Sequence, residues 1–358
     1  MTKLLIYRMG SLGDTAVALP VFHLLARVYR DAERRVLTNM PVSSDAAPIQ
    51  AVLGDSGLVQ GYFPYPLGTR KPAQLFDLCR AIRAWGPKRA ILISARRGLA
   101  LRRDKMFLRA CGIWEILGAP TQRDLQNHHL SDIEGLWESE ASRLARCAVR
   151  IGDIDLADRT NWSLKPTPRE IEAVGRRLAD WPGAGAFVAF SVGTKLEAKS
   201  WGDQKWTDLL KNLSASQPGL GLALIGGPND ILRSETIAHG WRGPLINFCG
   251  RLTPRQSALV IERAQLFMGH DSGPMHLAAS VGTPAVAVFS NHAKPGLWFP
   301  HGSHHRVFYP GLSWSGGTPP VMRDARGETD ITLIPLAPVL DACRSLLRQD
   351  ANRAMAAT

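Results

Sequence analysis

The sequence of 358 residues is poor in the features that mark several large classes of protein. Its five cysteines are scattered, odd in number and form no C-x-x-C pair, which argues against a zinc knuckle and against a disulfide framework. No run of about 18 apolar residues is present, so no membrane-spanning helix is predicted. Residues 1–14 are typical of a strand and a turn rather than a signal segment. We therefore expect a reduced protein in the cytoplasm.

Two classes of binding protein lack their sequence signatures here. No G-x-G-x-x-G follows a predicted strand, which counts against an NAD-type oxidoreductase. Neither an RNP-type aromatic motif nor a helix-turn-helix signature is found, so no nucleic-acid partner is predicted. What the chain does have is a formal net charge of +12, from 43 Lys and Arg against 31 Asp and Glu. Such a charge favours anionic ligands, for example nucleotides or phosphorylated lipid at a membrane surface.

Apolar strands, glycine-containing turns and helices alternate along the chain, and helices are predicted over 14–29 and 132–150. This alternation predicts an α/β protein with two parallel, doubly wound sheets. A proline-containing segment near residues 164–168 interrupts the pattern, which places an N-terminal domain at 1–165 and a C-terminal domain at 166–335. Residues 336–358 are predicted to form a terminal helix with a frayed tail.

The segment most informative about function is 267–289, FMGHDSGPMHLAASVGTPAVAVF, which predicts a strand, a turn, a helix and a second strand. The unpaired amides and the positive dipole end of a helix N-terminus bind phosphate. Asp271 or Ser272 could instead only cap the helix, and Pro274 is common in a first turn. Capping alone does not explain why Gly273 and His276 follow so closely. The turn therefore predicts an anionic ligand.

Four segments of the chain together resemble glycosyltransferase family 9, the bacterial ADP-heptose:lipopolysaccharide heptosyltransferases. Residues 8–20 (RMGSLGDTAVALP) are similar to the opening of that family, and residues 269–289 are similar to its donor loop, D-[ST]-G-x-x-H-L-A-A. Residues 193–206 match G-x-x-x-x-x-K-x-W-x-x-x-x-W, and residues 226–230 match G-G-x-x-[DE]. The resemblance is dense over 1–14 and 186–290 and looser elsewhere.

The resemblance implies a GT-B fold, in which two Rossmann-like domains face an interdomain cleft and a final helix crosses back to the first domain. It implies an inverting, metal-independent transfer of heptose from a nucleotide sugar, ADP-L-glycero-D-manno-heptose, to a lipopolysaccharide core or related glycan. The nucleotide sugar would bind to the C-terminal domain and the acceptor to the N-terminal one, and no cofactor is expected. The alternatives are a family 9 transferase with another nucleotide sugar or acceptor, and a dinucleotide-binding oxidoreductase.

The resemblance also assigns catalytic residues. Asp14 follows a glycine turn and would take the proton of the acceptor hydroxyl, although the same position would suit a helix N-cap. Lys199 would neutralise the charge of the diphosphate, although a lone lysine is ordinarily a solvated surface group. These two residues are our candidate catalytic pair.

The candidate donor-binding residues lie after predicted strands of the C-terminal domain. Asp230 would accept from the ribose hydroxyls, with an Asx turn as the alternative. Asp271 would bind a hydroxyl of the sugar, and His276 would donate to a phosphate or to the sugar unless it packs in the core. The complete predicted donor set is Thr194, Lys199, Asp230, Asp271, Ser272, Gly273 and His276.

The candidate acceptor-binding residues are Ser11, Arg96 and Arg97. The basic, partly apolar stretch 96–109 could meet the phosphates of a lipid-linked glycan at the inner face of the inner membrane. It could equally be a helix that exposes its arginines and packs its leucines inward. The triplet 153–155 (Asp-Ile-Asp) is interpreted as a surface turn, and no metal site is predicted.

Overall fold

The computed structural model describes residues 2–40, 47–65, 72–131, 135–181, 185–194, 196–310, 312–313 and 330–356. The chain divides into two compact units, Met1–Thr167 and Pro168–Thr358. This division lies two residues beyond the predicted boundary.

In the described part of the first unit, the strands are β1 (Thr2–Tyr7), β2 (Ala32–Asn39), β3 (Gly61–Tyr65), β4 (Arg89–Leu92) and β5 (Glu115–Leu117). The helices are α1 (Leu12–Ala16), α2 (Leu19–Val28), α3 (Ile49–Leu53), α4 (Pro72–Trp85), α5 (Gly98–Ala110), α6 (Arg123–Gln126) and α7 (Glu140–Ala148). The strands pair in parallel in the order β3-β2-β1-β4-β5. The strand order therefore reverses between β1 and β4, where doubly wound sheets bind ligands.

In the described part of the second unit, the strands are β6 (Phe187–Ser191), β7 (Gly221–Leu224), β8 (Leu245–Asn247), β9 (Leu266–His270), β10 (Ala285–Val288), β11 (Arg306–Tyr309) and β12 (Leu312–Ser313). The helices are α8 (Pro168–Ala179), α9 (Asp203–Ser216), α10 (Ile231–Ala238), α11 (Pro254–Glu262), α12 (Gly273–Val281) and α13 (Leu336–Ala356). The order is β12-β11-β10-β9-β6-β7-β8, and β12 alone runs antiparallel to its described neighbour. Here the order reverses between β6 and β9.

Burial of apolar strands holds each unit together. Every residue of β6, β9 and β10 is buried, as expected for parallel strands covered by helices on both faces. In the second unit, helix α13 places Val339, Leu340, Cys343, Leu346 and Leu347 in the core. Full burial of such side chains contributes about 1.5–3 kcal/mol each. The terminal helix is therefore part of the second unit, and its predicted return to the first unit stays a prediction.

Two predicted helices differ from those in the structure. The helix predicted over 14–29 is divided into α1 and α2. Pro20 is the second residue of α2, in the first turn, where a helix does not need the amide hydrogen that proline lacks. The helix predicted over 132–150 begins at Glu140, where the Ser139 hydroxyl accepts from the amide of Ser142. Residues 132–134 lie outside the described part of the chain. Among the described helices, none has both the length and the apolar character needed to cross a bilayer.

Candidate functional site

The first candidate group lies where β1 ends, beside the point at which the strand order reverses. Asp14 is the third residue of α1, and its Oδ2 accepts from the Ser11 amide at 2.8 Å and from the Ser11 hydroxyl at 3.1 Å. Ser11 is the N-cap residue of α1, so Asp14 is not the N-cap itself but the third-position carboxylate of a capping box. It is also only partly buried. A capping-box contact of this kind fixes the carboxylate in place.

The backbone around Asp14 is held by a buried arginine and a glycine. Arg8 is 3% exposed, and its guanidinium donates to the carbonyl of Ile93, after β4, at 3.2 Å and to the carbonyl of Asp14. Gly10 has φ +140°, and a Cβ there would lie 2.4 Å from the Cβ of Asp14. Only glycine therefore fits this turn, and a side chain at position 10 would displace the carboxylate.

The three predicted acceptor residues have different hydrogen-bond partners. The Ser11 hydroxyl donates to Asp14. Arg96 donates to both carboxylate oxygens of the buried Asp104, at 2.9 and 3.0 Å, and to the Tyr7 hydroxyl at 2.9 Å. Arg97 is exposed and donates to Asn127 at 3.1 Å. Arg96 thus has a clear structural role, whereas Arg97 presents its charge at the surface. Their contact with an acceptor stays a prediction.

The second candidate group lies in the turn from β9 to α12, at the reversal point of the second sheet. Ser272 is the N-cap residue in extended conformation, and Gly273 begins the helix. The Ser272 hydroxyl oxygen is buried and has no hydrogen-bond partner among the described residues. Buried polar atoms are normally paired, so an unpaired hydroxyl at a helix N-terminus indicates a place for an acceptor from outside the chain.

Three charged or ionisable side chains surround this turn. Lys199 Nζ lies 2.7 Å from Asp271 Oδ2, and both side chains are largely shielded from solvent. His276 Nε2 lies 3.9 Å from Asp271 Oδ1 and is 6% exposed on its side chain. Its ring packs edge-on against that of Trp298, with the two ring centroids 6.1 Å apart. The structure therefore brings together five of the predicted donor residues, Lys199, Asp271, Ser272, Gly273 and His276, and their binding of a donor stays a prediction.

Asp230 occupies the adjoining strand ends. Its Oδ2 accepts from the Gly227 amide at 2.8 Å, three residues earlier, which closes a capping box at a short helical turn and is not the Asx turn given as the alternative to ribose binding. The carboxylate also packs on Gly193 and Gly226, where a Cβ would lie 2.8 and 2.7 Å from Oδ2. Glycine at both positions is thus required for the carboxylate to reach the ends of β6 and β7. Thr194 follows β6 and donates to the carbonyl of Leu196 at 3.2 Å.

His270 was not predicted as a site residue, although it directly precedes Asp271. Its ring nitrogens contact Trp201, Trp206 and Val192 at 2.9, 3.0 and 3.1 Å. Burial lowers the pKa of His270 to about 4, so the ring is neutral near pH 7. The available sequence signal was a histidine at the end of an otherwise apolar strand.

Taken together, the second group offers an ammonium, a helix N-terminus and an unpaired hydroxyl beside two carboxylates. Cations and amides of this kind stabilise a diphosphate, and carboxylates accept from sugar hydroxyls. No cluster of three or more His, Cys, Asp or Glu suited to a metal ion occurs among the described residues. In the triplet 153–155, Asp155 accepts from the Ala157 amide at 2.8 Å in an exposed turn.

Comparison with known proteins relates this chain to one family of transferases. The model of "Glycosyltransferase family 9 (heptosyltransferase)" matches residues 163–309, which include the whole second group. A curated relative, lipopolysaccharide heptosyltransferase 3 of Escherichia coli, is 24% identical over 94% of this chain and 96% of its own length.

Solved structures share the fold. A glycosyl transferase family 9 structure from Veillonella parvula DSM 2008 has a TM-score of 0.72 at 15% identity and covers 97% of this chain and 98% of its own. ADP-heptose lps heptosyltransferase II of E. coli has a TM-score of 0.66 at 18% identity and covers 98% of this chain and 100% of its own. The predicted α/β, GT-B fold of two Rossmann-like domains and the resemblance to family 9 are confirmed. The chain is a glycosyltransferase.

Proposed function

We propose that this glycosyltransferase transfers heptose from ADP-L-glycero-D-manno-heptose to a lipopolysaccharide core or related glycan, with inversion at the anomeric carbon. The relatives support the substrates, since one is named a lipopolysaccharide heptosyltransferase and another an ADP-heptose heptosyltransferase. The family model also carries the heptosyltransferase description over the segment that holds the second group.

The observation that carries this proposal is the unpaired Ser272 hydroxyl at the N-terminus of α12, next to the partner of Lys199. The Ser272 hydroxyl has no partner among the described residues, and Lys199 is paired with Asp271 at 2.7 Å. A diphosphate seated at Gly273 would give the hydroxyl an acceptor and the ammonium a second anion. Asp271 would then be available to accept from a hydroxyl of the transferred sugar.

The proposed chemistry is a single displacement. The acceptor oxygen attacks the anomeric carbon while its proton passes to the Asp14 carboxylate. The bond from the anomeric carbon to the β-phosphate oxygen breaks, and its electron pair leaves with ADP. Lys199 and the amides of α12 stabilise the developing negative charge, so we propose that no metal and no resident cofactor is needed. One displacement inverts the configuration.

We also propose that the reaction takes place in the cytoplasm, at the inner face of the inner membrane, on a phosphorylated, lipid-linked glycan. The support comes from the exposed face of α5, where Leu99 is 81% and Met106 is 68% exposed. Arg102, Arg103 and Arg109 are exposed on the same helix. Apolar side chains among arginines suit an anionic lipid surface, where each nearby cation adds about 1 kcal/mol of attraction.

The position of α5 within the first unit fits that role. The helix directly follows β4, which pairs in parallel with β1, and β1 leads into Asp14. The carboxyl ends of parallel neighbours meet at the same edge of a sheet. The beginning of α5 and the candidate base therefore lie at one edge of the first unit, so a surface bound by α5 would present its glycans near Asp14.

Transfer assays with purified protein test the proposal. ADP-heptose and a heptose-deficient lipopolysaccharide acceptor should give a glycan heavier by one heptose, with release of ADP and no loss of activity in EDTA. A panel of ADP-, GDP- and UDP-sugars on the same acceptor tests the choice of donor. Transfer from a GDP- or UDP-sugar but not from ADP-heptose would show that the proposed donor is wrong. Hydride exchange with NAD in place of sugar transfer would contradict the whole proposal.

A further inference from the structure

His270 occupies a position from which it contacts three separate segments of the second unit. It is the last residue of β9 and is fully buried, beside Trp201 and Trp206, which are also fully buried. The Trp206 ring packs edge-on against the imidazole at 5.1 Å and against Trp201 at 4.8 Å. The next residue along the chain is Asp271, the partner of Lys199.

The hydrogen-bond partners of the imidazole fix its protonation. Nε2 lies 2.9 Å from the Trp201 amide and 3.0 Å from the Trp206 indole nitrogen, and both of these groups only donate. Nδ1 lies 3.1 Å from the carbonyl of Val192, which only accepts. Nε2 must therefore be the acceptor and Nδ1 must carry the proton. A proton on Nε2 would break two hydrogen bonds at once.

These three bonds connect the segments that carry the donor-binding residues. Val192 directly precedes Gly193 and Thr194, and Trp201 follows Lys199 by two residues. The Trp201 indole is bound in turn to the carbonyl of Ile334 at 2.9 Å, which fixes the other side of its segment. Through His270, the end of β6, the lysine segment and the β9–α12 turn become one assembly. Within that assembly Lys199 Nζ lies 2.7 Å from Asp271 Oδ2.

We propose that His270 is a positioning residue for transfer, which sets the distance between Lys199 and the phosphate-binding turn at Ser272 and Gly273. The inference rests on the proposed function for the identity of the donor. A displacement of about 1 Å in a group that faces the reacting atoms costs on the order of 100-fold in rate. A neutral imidazole is suited to the task because it offers an acceptor and a donor on opposite sides of one rigid ring.

The experiment measures ADP affinity by calorimetry and transfer kinetics for His270→Asn, with His305→Asn as the matched control. His305 is also a buried histidine of this unit, and it accepts from the Ala285 amide at 3.1 Å away from the donor loop. His270→Asn should weaken ADP binding about tenfold and lower kcat. His305→Asn should lower the melting temperature and leave the affinity for ADP at the wild-type value.

A double-mutant cycle separates positioning from general damage. If His270 acts through Lys199, the His270→Asn effect on ADP affinity should largely disappear in a Lys199→Ala background. Should His270→Asn fail to fold, Trp206→Phe takes its place in the same double-mutant cycle. That substitution removes one hydrogen-bond donor to His270 Nε2 and keeps an aromatic ring packed against the imidazole. Additive effects in the cycle, or unchanged ADP affinity in a folded variant, overturn the inference. A wild-type protein that binds no ADP and transfers no heptose overturns the proposed function instead.

Discussion

The Lys199 ammonium lies 2.7 Å from the Asp271 carboxylate, although 72 residues separate them in the chain. The pair joins the segment after β6 to the segment after β9, which are neighbours in the sheet. The pair neutralises both charges in a place where solvent is largely excluded. With donor bound, we expect the ammonium to turn toward a phosphate.

Replacement of Lys199 tests this interpretation. Lys199→Ala should weaken ADP binding and lower kcat together, each by about 10- to 100-fold, because it removes the cation and leaves Asp271 unpaired beside the phosphate site. Calorimetry with ADP and initial-rate kinetics measure the two effects. Lys211→Ala, at an exposed position of α9, is the control and should behave as wild type. Unchanged ADP affinity in Lys199→Ala would remove the lysine from the diphosphate site.

Asp14→Asn separates catalysis from helix capping. The amide oxygen of asparagine can still accept from the Ser11 amide, so we expect stability and ADP affinity to be retained. Loss of the base should lower kcat about 10²- to 10⁴-fold. Asp158→Asn is a matched change, since Asp158 caps a short helix through the Thr160 amide and should leave transfer unaffected. Wild-type turnover by Asp14→Asn would exclude Asp14 as the base.

Arg96 and Arg97 should respond differently to alanine. Arg96→Ala leaves the buried Asp104 carboxylate without the Nη1 group that donates to both of its oxygens, and the free energy of unfolding should fall by about 1–3 kcal/mol. Arg97→Ala removes an exposed charge and should leave unfolding unchanged while raising the KM of a phosphorylated acceptor. Denaturant titrations and acceptor kinetics distinguish the two. Equal stability of both variants would contradict a structural role for Arg96.

The exposed face of α5 should govern binding to lipid. A Leu99→Ser/Met106→Ser variant should bind vesicles with phosphatidylglycerol several-fold more weakly in co-sedimentation, because both side chains are largely exposed and would insert among acyl chains. Leu232→Ser, at a residue of α10 that is 77% exposed, is the control. Wild-type binding that does not depend on phosphatidylglycerol content, or equal binding by all three proteins, would contradict the proposal.

Buried neutral histidines should make the second unit sensitive to acid. Burial lowers the pKa of His305 to about 3, whereas the unfolded chain takes up that proton near pH 6.5. The contribution to stability is therefore complete above pH 6.5 and is lost as the pH falls toward 3, on the order of 5 kcal/mol in all. Denaturant titrations of wild type and His305→Asn between pH 7 and 4 should show a steeper decline for wild type. Parallel declines would contradict this.

Local sequence predicted the donor loop because both its elements carry local signals. An apolar strand, small residues and Pro274 predict a strand and a helix close to the observed Leu266–His270 and Gly273–Val281. The preference of the turn for an anion is a general property of helix N-termini. Neither the secondary structure nor the anion preference of this turn depends on distant residues, so one short segment of sequence was enough to predict both.

The role of His270 could not be predicted in the same way, because its partners Trp201 and Trp206 lie 69 and 64 residues away. Arg96 shows a related limit. Its basic neighbours in the sequence indicate an acceptor site. In the structure, however, Arg96 pairs with the buried carboxylate of Asp104, which lies on α5. The division between α1 and α2 did have a local signal, Pro20. The continuous apolar pattern on both sides of Pro20 nevertheless favoured a single helix.

A crystal structure of the protein with ADP bound would test the proposed donor site most directly. We predict that a phosphate oxygen lies within hydrogen-bond distance, about 3 Å, of the Ser272 hydroxyl and the Gly273 amide, with the Lys199 ammonium turned toward the phosphates. ADP bound elsewhere on the chain, with the Ser272 hydroxyl still unpaired and Lys199 still on Asp271, would contradict that site.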